Sequence, residues 1–77
     1  MNSTLLNIEK GSTAYITDLT NVPFTIKHRL MHLGICEGIP ITFKQIQPFG
    51  GPCVLEYAGQ SIGIRRTDAK KIKVKIT

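Results

Sequence analysis

The chain of 77 residues predicts a mainly β fold, a small and partly open five-stranded barrel with one inserted α-helix. Three observations carry this. Short segments rich in β-branched and aromatic residues are separated by turn-forming residues. One stretch has helical spacing and ends on a glycine. One strand shows a slip in the phase of its apolar residues, the mark of a bulge or sharp bend.

Taken in order, Leu5, Leu6 and Ile8 make a short apolar opening that ends at Lys10-Gly11. Thr13 to Leu19 reads as the first strand. Thr20-Asn21-Val22-Pro23 is a loop. Pro23 is tolerated in a first helical turn, and Asn21 or Thr25 can supply the cap. The helix is expected over about 24–34. Ile26, Leu30 and Leu33, spaced i, i+4, i+7, form its core stripe. Gly34 is its stop, and Gly38 is a second backbone pivot.

Ile39, Ile41 and Phe43 then alternate with Pro40, Thr42 and Lys44, but Ile46 is out of phase. A bulge is therefore expected near Lys44-Gln45. The loop Gln47 to Pro52 leads into the strand Cys53–Tyr57. Ala58-Gly59-Gln60 is a hairpin turn, and Ser61 to Arg65 returns. Gly63, in mid-strand, suggests close approach of another backbone or a coil in the strand. One helical turn is expected over about 67–71, with Thr67 as cap and Asp68 near its positive end. In the last strand Ile72, Val74 and Ile76 point inward, and Lys73 and Lys75 outward. The whole of 1–77 reads as one domain.

A chain this short buries a small core and has little material for a deep catalytic cleft. No Ser/His/Asp arrangement or carboxylate pair is visible. Gly50-Gly51 lacks the lysine and helix that a phosphate loop needs. Catalysis is not expected. The two cysteines, Cys36 and Cys53, are too few for a disulfide framework, and their spacing makes no CxxC motif. A single Cys36–Cys53 bridge is geometrically possible, but a reduced, cytoplasmic protein is the expectation. No signal peptide and no apolar run of membrane-spanning length is seen.

Residues 65–77 carry Arg65, Arg66, Lys70, Lys71, Lys73 and Lys75 against Asp68, which accounts for the whole net charge of +5. Such an excess suits nucleic acid, an anionic membrane surface or an acidic protein partner. It also suits the solvated face of an edge strand guarded by lysine. For nucleic acid, stacking aromatics should interleave with the basic residues. Tyr15, Phe24, Phe43 and Tyr57 fall mostly in apolar phase, and Phe49 in its Gly/Pro loop is the one that reads as exposed. His28 and His32 share a helix face opposite the apolar stripe and form a weak metal-chelating pair. Cys36 and Glu37 are further candidate ligands. No cofactor is required, and a transient divalent ion, iron or zinc, is the most the pair suggests.

The pattern resembles the FeoA family. The resemblance runs through Leu5, Gly11-Ser12-Thr13-Ala14-Tyr15-Ile16, then Arg29-Leu30-Met31-His32-Leu33-Gly34-Ile35 with Gly38 four residues after Gly34. It continues in Gly59-Gln60-Ser61-Ile62-Gly63-Ile64-Arg65 and in Ala69, Ile72, Lys73 and Val74. Glu37 departs from the family, which often has proline there. The resemblance implies an SH3-like barrel and a non-enzymatic accessory protein of bacterial ferrous iron uptake. Its implied partner is a FeoB-type ferrous iron transporter, met at the cytosolic GTP-binding domain or an adjoining region. The protein would then be peripheral to the inner face of the membrane through that partner, with self-association left open. FeoA-like modules also end some metal-dependent repressors, and with no DNA-binding helices ahead of it this chain looks like the stand-alone form. The expected partner-binding residues are Lys27, Arg29, His32, Cys36 and Glu37 around the helix, and Arg65, Arg66, Lys73 and Lys75 at the basic end. A basic barrel that binds nucleic acid, and a direct metal-binding regulator through His28 and His32, are the competing expectations.

Overall fold

The computed structural model describes residues 2–46 and 51–76. The expected loop at Gln47-Pro48-Phe49-Gly50, with its exposed Phe49, lies outside them. Strands β1 (Asn2–Thr4), β2 (Thr13–Asp18), β3 (Pro40–Ile46), β4 (Cys53–Tyr57), β5 (Gln60–Ile64) and β6 (Lys73–Ile76) form an antiparallel sheet in the order β1-β6-β2-β3-β4-β5. The mainly β, SH3-like expectation holds, with a sixth strand added. Asn2–Thr4 has no alternating pattern of its own. It is a strand because β6 offers it a partner, with Asn2 opposite Lys75 and Thr4 opposite Lys73. A 3-10 turn (Leu5–Asn7) follows.

Helix α1 (Phe24–His32) is inserted between β2 and β3, and the short α2 (Arg66–Ala69) between β5 and β6. Leu5, Ile16, Leu30, Ile35, Ile41, Leu55, Ile64 and Ile72 surround one central space, so the sheet wraps a core into which α1 inserts Leu30. Ile26 and Leu33 are half-buried against it, as the stripe predicts. The register between β3 and β4 shifts between Phe43 and Gln45, where the phase slip places the bulge.

The exit from α1 orients everything around it. Gly34 has φ +87°. Its N–H donates to the carbonyl of Met31 at 3.0 Å, and that of Ile35 to Leu30 at 2.9 Å. These are the two bonds of a Schellman motif. Its accompanying apolar pair, Leu30 and Ile35, is buried. The turn is then tied to the end of β2. The Gly38 N–H donates to the carbonyl of Ile16 at 2.7 Å, and Glu37 Oε2 accepts the N–H of Leu19 at 3.1 Å.

Several expectations are corrected by packing. Neither Asn21 nor Thr25 caps α1. Pro23 occupies the N-cap, with no side-chain bond, and its carbonyl accepts the N–H of Lys27 at 2.9 Å. Thr67 does not cap α2 but lies inside it. Arg65 is the N-cap, and its Nε reaches Asp68 Oδ2 at 3.3 Å. Asp68 is the buried charged residue of the core boundary, and that ion pair is what satisfies it. Ile76 keeps the inward side of β6, opposite buried Ala14, but as the last residue of the strand it is left 40% exposed. Gly63 has ordinary space around it. A Cβ there would meet Pro52 Cβ at 4.0 Å, so no backbone crowds it. The cysteines are unpaired, Cys36 exposed and Cys53 buried, where loss of hydration pushes the Cys53 thiol up.

Candidate docking surface

A groove runs between α1 and β5. Its larger limb, about 420 Å³, is lined by Thr25, His28, Arg29, His32 and Leu33 from the helix side and by Gln60, Ser61 and Ile62 from the strand. Its smaller limb, about 140 Å³, continues past Ile26, Arg29 and Leu30 to Gly63, Ile64, Arg65 and Asp68. Arg29 and Ile62 belong to both limbs. Leu30, Ile62 and Ile64 are buried and give the groove an apolar floor. One end is tied across to α1, and the other is closed by α2. Gln60 Nε2 donates to the carbonyl of Leu33 at 3.5 Å, and Arg65 holds Asp68.

The structure does not bring the expected partner residues to one place. Arg29, His28, His32 and Arg65 converge on the groove. Cys36 and Glu37 sit in the turn after α1. Cys36 is exposed, while the Glu37 carboxylate is engaged with β2. Glu37 therefore has a structural duty at the exit of α1. Lys73 and Lys75 stand exposed on β6, opposite Asp18 and Tyr15 of β2. Lys27 is half-buried on α1, and its charge acts on Asp18 rather than in the groove. Arg66 is exposed at the start of α2, with its charge felt by Cys53.

Asp18 has its own local cause of acidity. Its Oδ1 accepts the Thr20 N–H at 2.7 Å, and hydrogen bonds from Thr20, more than the nearby Lys73 and Lys27, hold its carboxyl below the usual range.

The outer face of α1 is more apolar than the sequence suggests. Phe24 is 77% exposed and Met31 55%. The Phe24 and His28 rings stack at 5.7 Å, and the His28 and His32 rings meet at 4.3 Å. Tyr15 is 43% exposed, against its expected apolar phase. These aromatics lie on the outward sides of α1 and β2, whose opposite sides fill the core. Among the described residues no group of three His, Cys, Asp or Glu comes together that could hold a metal ion. Neither Cys36 nor Glu37 joins the histidine pair, so the donor set does not fit the four-ligand pattern of a structural zinc site. Among the described residues no helix is long and apolar enough to cross a membrane.

The groove residues Gln60, Ser61 and Gly63 are absent from the sequence-based set. The hairpin turn is visible in the sequence, but not that β5 ends the sheet.

A family model for the FeoA domain matches residues 3–76. No curated protein matches the chain. Among solved structures, the FeoA protein from Chlorobium tepidum is 27% identical with a TM-score of 0.86, over 95% of this chain and 69% of that one. The iron(II) transport protein A from Clostridium thermocellum is 27% identical with a TM-score of 0.82, over 96% of this chain and 45% of that one. A manganese-dependent transcriptional repressor shares the fold at 13% identity, with a TM-score of 0.84 over 99% of this chain and 42% of that one.

Proposed function

The chain belongs to the FeoA domain family, and from that premise we propose that it is a non-enzymatic adaptor of ferrous iron transport. In this reading it works in the cytoplasm. It docks on the cytosolic part of a FeoB-type transporter and shifts that transporter's conformational or GTPase cycle. The observation that supports it is the groove between α1 and β5, where Arg29 and Arg65 stand over an apolar floor. Low-dielectric walls strengthen the field of a charge beside them, which suits recognition of an acidic partner surface. The likeness to an iron(II) transport protein supports a partner from that system. The test is an NMR titration of the labelled chain with the soluble GTP-binding domain of its transporter, with and without nucleotide. Shifts confined to residues 25–33 and 60–65 are expected. Shifts confined to β6, or none in any nucleotide state, would overturn the reading.

A second reading has one observation in its favour. Tyr15 is exposed on β2 directly opposite Lys75, which sets a stacking ring beside a cation. Single-stranded nucleic acid would use that face. A titration with oligo(dT) that shifts Tyr15 and Lys75 and is abolished in Tyr15→Ala would favour it.

A further inference from the structure

We propose that the outer edge of β5 receives a short extended segment of the partner, apolar and acidic residues alternating, as an added strand in the groove beside α1. The identity of the partner rests on the docking reading, but the mode of binding rests on the sheet.

In the order β1-β6-β2-β3-β4-β5, β5 pairs with β4 and stands at the edge. Ala58 at φ +51° and Gly59 at φ +81° make a two-residue turn closed by the pair Tyr57 and Gln60. Such a turn begins its ladder with a hydrogen-bonded pair, and the pairs alternate from there. Leu55 with Ile62 and Cys53 with Ile64 therefore exchange bonds. Ser61 and Gly63, in the intervening pairs, point both N–H and C=O away from β4. No backbone hydrogen bond from outside the β4–β5 ladder reaches either residue among the described ones. Both line the groove.

Natural edge strands are usually blunted by lysine, proline, a bulge or brevity. The opposite edge, β1, has three residues. By contrast β5 has five, Gln60-Ser61-Ile62-Gly63-Ile64, with no lysine, proline or register shift. Its length is about 16 Å at the usual strand rise. Gly63 also presents no side chain to an incoming backbone. The charge of the groove selects what enters. Arg29 and Arg65 line it, and among its described residues the acid is Asp68, already held by Arg65. Strand addition supplies affinity through the main chain and specificity through alternate side chains. Here one set of side chains meets Ile26, Leu30 and Ile62, and the other meets the arginines.

The probe is a seven-residue peptide alternating glutamate and valine, acetylated and amidated, added to the ¹⁵N-labelled chain. Amide hydrogen exchange at Ser61 and Gly63 is expected to be fast in the free chain and to slow about tenfold or more at saturation. A lysine–valine counterpart should not bind. N-methylation of one alternate set of peptide amides should abolish binding, and of the other set should not. Binding without protection of Ser61 and Gly63, or equal binding of all the methylated peptides, would overturn the proposal. Protection that rises with the concentration of the chain itself would assign the edge to a second copy and overturn it too.

Gly63→Pro then separates this inference from the docking reading. The Gly63 N–H lies outside the ladder, so proline spares the β4–β5 bonds. Loss of one main-chain bond should weaken binding of the transporter's GTP-binding domain about threefold to tenfold. Unchanged affinity would overturn the edge mode and leave docking standing. No binding by the wild type would overturn docking, and the peptide result alone would then decide the edge.

Discussion

Two basic surfaces of this molecule carry similar charge in different settings. Arg29 and Arg65 flank a concave groove with buried Leu30, Ile62 and Ile64 beneath it. Lys73 and Lys75 stand on the exposed face of β6, and Asp18 is paired opposite Lys73. An exposed lysine on a flat face is hydrated and screened by salt. An arginine at the mouth of an apolar groove keeps more of its field and meets its partner in a fixed geometry. Charge count and surface shape therefore point to different places. The net charge lies in residues 65–77, yet the concave shape that can use charge is built mainly from α1 and β5.

The hardest way to break this contrast is to move the helix. Gly34 holds φ +87°, and a Cβ there meets Tyr57 Cε2 at 3.4 Å. Gly34→Val should cost about 2 kcal/mol through left-handed strain in a β-branched residue. Urea unfolding reads this directly, and an unchanged midpoint would show that α1 is not fixed by that turn.

Charge reversal compares the surfaces head to head. Arg29→Glu should weaken binding of the transporter's GTP-binding domain about tenfold, and Lys75→Glu less than about twofold. Calorimetry with the two variants side by side decides it. Equal losses would erase the distinction between groove and face.

Glu37 sharpens the boundary between holding the fold and meeting a partner. Removing its carboxylate from the Leu19 N–H in Glu37→Ala should lower stability by about 1 kcal/mol and leave partner affinity unchanged. Loss of affinity at unchanged stability would return Glu37 to the contact surface.

The smallest effect is on the β6 side. The Asp18 carboxyl is lowered chiefly by its hydrogen bonds with Thr20, with lesser help from Lys73 and Lys27. The native state therefore binds fewer protons than the unfolded chain just below the ordinary carboxylate range. The stability it adds is present above about pH 4 and is lost as pH falls through the lowered value. Asp18→Asn should lower the melting temperature slightly at neutral pH, where that stability is present, and flatten its fall with pH in the acid window. A variant as acid-sensitive as the wild type would assign the loss to other carboxylates.

Features governed by a few neighbouring residues are legible in the amino-acid sequence. The i, i+4, i+7 stripe, the glycine stop at Gly34, the Ala58-Gly59 turn and the bulge after Phe43 each follow from local backbone geometry or from the two-residue period of a strand. The resemblance to FeoA is legible for the same reason, since its motif residues are mostly such turns and core positions. Capping is less legible. Thr67 has the chemistry of a cap, yet the chain enters α2 two residues earlier, where the Arg65 carbonyl accepts the N–H groups of Asp68 and Ala69.

The sequence by itself determined the class of fold, the place of the helix, the pivots at Gly34 and Gly38 and the family. The tertiary structure decided that Asn2–Thr4 is a strand, that Glu37 bonds to Leu19, that Phe24 and Tyr15 face outward, and that β5 is an edge beside α1. Those features depend on pairings such as Asn2 with Lys75, between residues far apart in the chain. Such pairings have no local signature, because they form only when the whole core has packed and fixed which strand is left without a neighbour.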